Sequence, residues 1–208
     1  MDKKISSFES IIPTAITVLY PRIFTDIPYS NEIFSFLKSQ IEVDSYLPKD
    51  ILAVELEARY KLMDRLLKKT NIKQVLELAA GYSSRGLIFS KDYGYRYIEL
   101  ELQKVADLKE ELINSISDKP SNLHIISGNA TDKLYFDKCK VLFNPNEKLV
   151  VINEGLLRYL DFDEKRQVAE NVFGILKEMG GGIGLLAMLH LVNLFKTKVI
   201  KSPILTQD

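Results

Sequence analysis

Gln74-Val75-Leu76-Glu77-Leu78-Ala79-Ala80-Gly81-Tyr82-Ser83-Ser84-Arg85-Gly86-Leu87 is the stretch whose reading decides the fold. Val75, Leu76 and Leu78 make an apolar run of strand length. The chain then turns through the small residues Ala79, Ala80 and Gly81, and an apolar segment resumes at Leu87. This pattern reads as a buried strand feeding a helix. Small side chains at such a turn let a ligand approach the backbone, and Ser83 or Ser84 can cap the new helix, whose unpaired N–H groups favour an anionic group. Taken alone, the same stretch also suits a tight connection that holds nothing.

Working outward, strands and helices alternate. Asp92-Tyr93-Gly94 supplies a helix stop, and Tyr95-Arg96-Tyr97-Ile98-Glu99-Leu100-Glu101-Leu102 reads as a second strand. A helix with Val105, Leu108, Leu112, Ile113 and Ile116 follows and stops before Pro120. Leu123 to Ser127 is a third strand, and Gly128-Asn129-Ala130-Thr131-Asp132 a loop. Leu149-Val150-Val151-Ile152 is a fourth strand running into Asn153-Glu154-Gly155. Asp161 with Glu164 opens a helix in the manner of a capping box; it carries Val168, Val172, Phe173 and Leu176 and closes at Gly180-Gly181-Gly182. A fifth strand is expected near 183–189. The predicted fold is a doubly wound α/β structure on a mainly parallel sheet, with ligands at the carboxyl ends of its strands.

Before the first strand, residues 5–29 contain Pro13, Pro21 and Pro28 and read as short helical pieces, a lid or flank. Ser30 or Asn31 can cap a helix with Ile33, Phe34, Phe36, Leu37 and Ile41. A longer helix over 49–69 places Leu52, Leu56, Met63 and Leu66 at helical spacing, with Arg59 on the same stripe. A guanidinium facing a core needs a carboxylate. Glu55, four residues earlier, can supply it, and so can a bound ligand. The expected organisation is a helical flank over 1–70 and a ligand-binding core over 71–208, forming one compact unit.

Composition narrows the classes. The 208 residues carry 28 Lys plus Arg and 28 Asp plus Glu, so no global field recruits nucleic acid or an anionic membrane. The lone Cys139 cannot form an internal disulfide and reads as a structural or surface thiol, with a reducing cytoplasm as the default. The N-terminal residues lack the apolar core of a signal peptide, and the apolar stretch over 182–195 is short for a bilayer and contains His190 and Asn193.

Glu101 lies about 20 residues past Gly81, the spacing at which an acid ending the second strand accepts hydrogen bonds from ribose hydroxyls. Glu99 faces the same side and is the reserve candidate. The dinucleotide fingerprint G-x-G-x-x-G is absent, so a pyrophosphate fits poorly and a nucleoside without phosphates fits better. S-adenosylmethionine is such a ligand: its adenosine suits Glu101 and Asn129-Ala130, and its carboxylate needs a cation such as Arg59. No metal is expected.

At these residues the chain resembles the S-adenosylmethionine-dependent methyltransferases related to leucine carboxyl methyltransferase and to polyketide-biosynthesis O-methyltransferases, over about 7–182. Pro13-Thr14-Ala15 and Thr25-Asp26-Ile27-Pro28-Tyr29 look like the family's N-terminal segment, and Arg59 with Asp64 sits where its arginine-led helix would. Leu78-Ala79-Ala80-Gly81-Tyr82-Ser83-Ser84-Arg85 is similar to its L-G-A-G-x-D-[TS]-R signature. Tyr97-Ile98-Glu99-Leu100-Glu101-Leu102 is similar to its acidic second strand, and Asn153-Glu154-Gly155-Leu156-Leu157-Arg158-Tyr159-Leu160 to its E-G-L-x-x-Y-L segment. The resemblance implies a Rossmann-like fold of the class I methyltransferase type. It also implies that Arg59 binds the methionine carboxylate, that Ala79, Ala80 and Gly81 line the cofactor, that Glu101 holds the ribose, and that Asn153 and Glu154 shape the methionyl end. Ala79 replaces a signature glycine, at little cost if its dihedrals are negative, and Ser83 replaces an aspartate. The family continues with further sheet elements where this sequence has Gly184-Leu185-Leu186-Ala187-Met188, so a sheet without its last hairpin is expected.

The implied activity is O-methylation of a small molecule or peptide carboxylate or of a hydroxyl, by in-line transfer. Two other classes compete. A serine hydrolase would use Gly81-Tyr82-Ser83 as a nucleophile elbow, but Arg85 stands where G-x-S-x-G requires glycine, and His124 comes too early. A shortened relative could bind cofactor or a partner without catalysis.

Overall fold

The computed structural model describes residues 19–40 and 51–187. Within them five apolar segments form one parallel sheet: β1 Gln74–Leu78, β2 Arg96–Glu101, β3 Leu123–Ser127, β4 Leu149–Glu154 and β5 Gly182–Ala187, in the order β3-β2-β1-β4-β5. Val75 lies level with Tyr97 on one side and Val150 on the other. The chain steps outward from β1 to β3, then crosses back to place β4 on β1's other side. This reversal opens a crevice at the carboxyl ends of β1 and β4. The doubly wound α/β class expected from the alternation is the fold observed.

Strand parity builds two cores. Leu76, Leu78, Ile98, Leu100 and Val151 face Phe136 and Cys139 of α5 (Lys133–Lys140) and Val168 and Ile175 of α6 (Phe162–Glu178). Val75, Tyr97, Leu123, Val150 and Ile152 face the opposite way, onto Met63 and Leu67 of α2 (Ile51–Thr70) and Leu87 and Phe89 of α3 (Arg85–Tyr93). Full burial of each such side chain contributes about 1.5–3 kcal/mol. On that second side α1 (Ser30–Gln40) packs Ile33 and Leu37 against Val105 and Leu112 of α4 (Gln103–Ile116). A 3-10 turn, Tyr20–Phe24, precedes α1, with Pro21 at its start.

Several local expectations hold. The Asp161 carboxylate accepts from the Glu164 amide at 2.9 Å while Glu164 accepts from the Asp161 amide at 3.0 Å, a complete capping box on α6. Gly94 ends α3 in the left-handed region at φ 66°. Others differ. The α2 stripe is Leu56, Tyr60, Met63 and Leu67, with Leu66 exposed at its rim. Ser84 does not cap α3, because its hydroxyl donates to Pro28 O at 2.8 Å; Ser83 Oγ instead accepts from the Arg85 amide at 3.2 Å. Helix α5 is an addition to the predicted elements: Asp132 caps it through Leu134 N–H, but only Phe136 and Cys139 are buried along it. Cys139 is wholly buried, which pushes its thiol up to about 12. Pro13-Thr14-Ala15, the helix entry at 49–50, and His190 with Asn193 lie outside the described residues. No described helix is long and apolar enough to cross a membrane.

Candidate functional site

The turn after β1 is held by its neighbours. Ala79 N–H donates to Leu100 O at 2.9 Å, and Gly81 N–H donates to the Glu101 carboxylate at 2.6 Å. Both turn residues are left-handed, Ala79 at φ 52° and Gly81 at φ 57°. The negative dihedral that would make Ala79 harmless is therefore not what the chain adopts, because the turn keeps the geometry a glycine would supply. A left-handed L-residue costs about 1–2 kcal/mol, partly offset because alanine has less chain entropy to lose than glycine. Ala79→Gly is expected to raise stability by about 0.5–1 kcal/mol in urea unfolding; stability equal to wild type or lower would show that the turn is relaxed with alanine.

Across the crevice, Glu154 at the end of β4 gathers three arginines. Arg59 of α2 places Nε 2.9 Å from one carboxylate oxygen, Arg22 of the first 3-10 turn approaches the same oxygen at 3.8 Å, and Arg85 of α3 reaches the other at 2.8 Å. Burial alone would raise the Glu154 carboxyl, but the three cations outweigh it and hold the group down at about 2. Arg85 is the most saturated of the three: its Nε lies 2.7 Å from Asp64, its Nη1 on Glu77, and its guanidinium stacks 4.3 Å from the Tyr60 ring centre. Glu77 in turn accepts from the Tyr97 hydroxyl. Arg59 does not pair with Glu55, which is exposed; its partner is 95 residues away. Its Nη1 is buried and has no hydrogen-bond partner.

The two second-strand acids separate. Glu101 lines the cleft beside Gly81, and burial pushes its carboxyl up to about 8, with Lys109 and the Gly81 amide opposing the rise. Glu99 does not line the cleft. It forms an ion pair at 2.5 Å with Lys109 of α4, both side chains almost fully buried, and burial again dominates, raising it to about 7. Gly86 makes room for this pair, since a Cβ there would run into Glu99 Oε1.

One cleft thus collects Arg59, Ala79, Ala80, Gly81, Glu101, Asn129, Ala130 and Glu154. Asn129 Oδ1 accepts from Thr131 N–H at 3.0 Å, and Ala130 O from Asn171 at 3.1 Å, which fixes that wall. Glu99 and Asn153 are buried outside the lining. Arg22, Glu77, Arg85 and Arg158 also line the cleft, beyond the ligand candidates that the sequence offers. Glu77 carried a legible signal, an acid inside the apolar run of a buried strand, which must find a cation. Ser83 lines the cleft too, while His124 sits in β3 outside it.

No curated protein matches the sequence. Among solved structures, the glycopeptide N-methyltransferase MtfA complexed with S-adenosyl-L-methionine aligns at 17% identity and a TM-score of 0.42, over 56% of this chain and 48% of that one. The methyltransferase domain of bacterial CtHen1-CN aligns at 15% identity and 0.46, over 56% and 59%. A protein from Pyrococcus horikoshii OT3 aligns at 22% identity and 0.42, over 55% and 50%. The chain spans about half the length of the first of these. Residues 40–173, more than half of the chain, match the family model described as Leucine carboxyl methyltransferase, and the chain belongs to the leucine carboxyl methyltransferase family.

Proposed function

We propose that the cleft binds S-adenosylmethionine and that the protein is an O-methyltransferase acting on a carboxylate or hydroxyl of a small molecule or peptide. One observation carries this reading. A buried guanidinium nitrogen without a partner, Arg59 Nη1, and a dry carboxylate, Glu101, line the same cleft. An amino-acid nucleoside needs such a pair: a cation for its carboxylate and a hydrogen-bond acceptor for its sugar hydroxyls.

Arg59 would take the amino-acid carboxylate while Glu154 keeps its guanidinium in place through Nε. Glu101, steadied by Gly81 N–H, would accept from the ribose hydroxyls. Ala79, Ala80 and Gly81 would admit the ligand to the backbone, and Asn129 with Ala130 would form the wall beside the base. Glu99 and Asn153 would support the site from behind. The cofactor supplies, when bound, a methyl group on a sulfonium that carries its own leaving group. The protein's task is then to hold the acceptor oxygen in line and exclude water. An ionised carboxylate needs no base for this; a hydroxyl would.

Calorimetry with S-adenosylmethionine tests the cofactor. Wild type is expected to bind, and Glu101→Ala and Arg59→Ala are each expected to lose about 10–100-fold in affinity. Absent binding by folded protein, or unchanged affinity in both variants, would remove the assignment. Transfer of a labelled methyl group to any acceptor in a cell extract separates an enzyme from a protein that only binds.

A further inference from the structure

The cleft contains a fourth arginine that the ion cluster does not use. β4 ends at Glu154, Gly155 turns the chain at φ 92°, and the 3-10 turn Leu156–Tyr159 follows, closed by the Arg158 amide donating to Gly155 O at 3.3 Å. Arg158 lines the cleft from this turn and is exposed. Arg22, Arg59 and Arg85 share Glu154, and Arg85 has Asp64 and Glu77 besides. No carboxylate among the described residues lies within ion-pair distance of Arg158. Apolar side chains accompany it on the wall: Leu19, Leu102, Val105, Leu156, Tyr159 and Leu160.

A planar, permanently charged fork at the mouth of an apolar pocket recognises an anion that carries an apolar body. We infer that Arg158 is a specificity-determining residue that selects a carboxylate-bearing acceptor whose remaining surface is apolar. The inference rests on the methyltransferase reading only in naming the occupant an acceptor. Its position supports that name. The turn begins directly after Glu154, which anchors the arginine proposed for the methionyl end, whereas Glu101 and Asn129 serve the nucleoside end. Leu156 and Tyr159 on the same turn can cover the apolar body while Arg158 stays near water, so the carboxylate keeps part of its hydration.

The test measures binding with and without saturating S-adenosylhomocysteine. Phenylacetate, octanoate and benzoate are titrated by calorimetry against their neutral amides. At least one anion is expected to bind wild type about tenfold more tightly than its amide, as a hydrogen-bonded charge pair implies. Arg158→Gln should abolish that preference, leave amide binding unchanged, and leave the affinity for S-adenosylhomocysteine within about twofold. Arg158→Lys should keep part of the preference, and raising the salt from 0.05 to 0.5 M should shrink it in wild type. No anion preference in wild type across the panel, or a preference that survives in Arg158→Gln, would overturn the inference. Failure of S-adenosylhomocysteine to bind would count against the cofactor reading alone, since titrations of the free protein still report on Arg158.

Discussion

Replacing Arg85 with methionine is expected to lower folding stability by about 3–5 kcal/mol, the usual consequence of removing one partner from a buried ion network. Three elements depend on this guanidinium: α2 through Asp64, β1 through Glu77 and β4 through Glu154. Methionine preserves most of the stem's volume, so the loss measures charge and hydrogen bonding more than a cavity. Glu77 suffers most, since it is 1% exposed and keeps only the Tyr97 hydroxyl. Adding Glu77→Gln to Arg85→Met should recover part of the loss, because the two side chains act as one unit. Acid unfolding supplies a second readout. Glu154 is held at about 2 against an ordinary 4.5, so its stabilisation is complete above about pH 4.5 and drains away as the pH falls toward 2. Arg85 is the strongest of the cations that hold it there, so the variant's stability should depend less on pH in that window. A loss under about 1 kcal/mol in urea unfolding would mean that the cluster is solvated and loosely tied.

Short apolar runs bounded by turn residues make β1 and β4 legible, and in β2 the alternation that sends Ile98 and Leu100 to one face leaves Glu99 and Glu101 together on the other. What parity could not tell is which neighbour each acid meets. Lys109 lies on the buried side of α4 with Val105, Leu112 and Ile113, and its claim on Glu99 depends on how α4 crosses the sheet. The same holds for Arg85. Its partners stand 21, 8 and 69 residues away, so no local spacing announces them, although an acid within Val75-Leu76-Glu77-Leu78 requires a cation from somewhere. The sequence leaves Arg59 a choice between Glu55 and a bound ligand's carboxylate; the structure supplies Glu154 from β4, because α2 turns Glu55 to solvent. Helix α5 is illegible in the sequence for want of periodicity. Two buried positions three apart, among four charged residues, make no stripe, and Asp132 as a cap was its clearest sign.

Glu101→Gln is expected to move stability and ligand affinity in opposite directions. Burial pushes the Glu101 carboxyl up to about 8 from 4.5, so the folded protein holds the proton more tightly than the unfolded chain does. The sign follows: there is no penalty below about pH 4.5, a growing one as the pH rises toward 8, and a constant one above. At pH 7 the gap is about 2.5 units, or roughly 3 kcal/mol as an upper bound. Glutamine keeps the shape and the oxygen that accepts from Gly81 N–H, and it carries no charge to desolvate. The free variant should therefore be more stable than wild type by about 1–3 kcal/mol at pH 7, with the gain gone at pH 4.5. Its affinity for S-adenosylmethionine should fall about 10–100-fold, because two ribose hydroxyls can draw the proton off a carboxyl held at about 8 and find two acceptor oxygens, whereas glutamine offers one and cannot ionise. Thermal unfolding at the two pH values and calorimetry at pH 7 measure both arms. A variant no more stable than wild type at pH 7, or stabilised equally at both values, would show that the carboxylate is already satisfied without a ligand. Glu99, raised to about 7 by the same burial, lies outside the cleft in its pair with Lys109, so only at Glu101 should the gain in stability come with a loss of ligand.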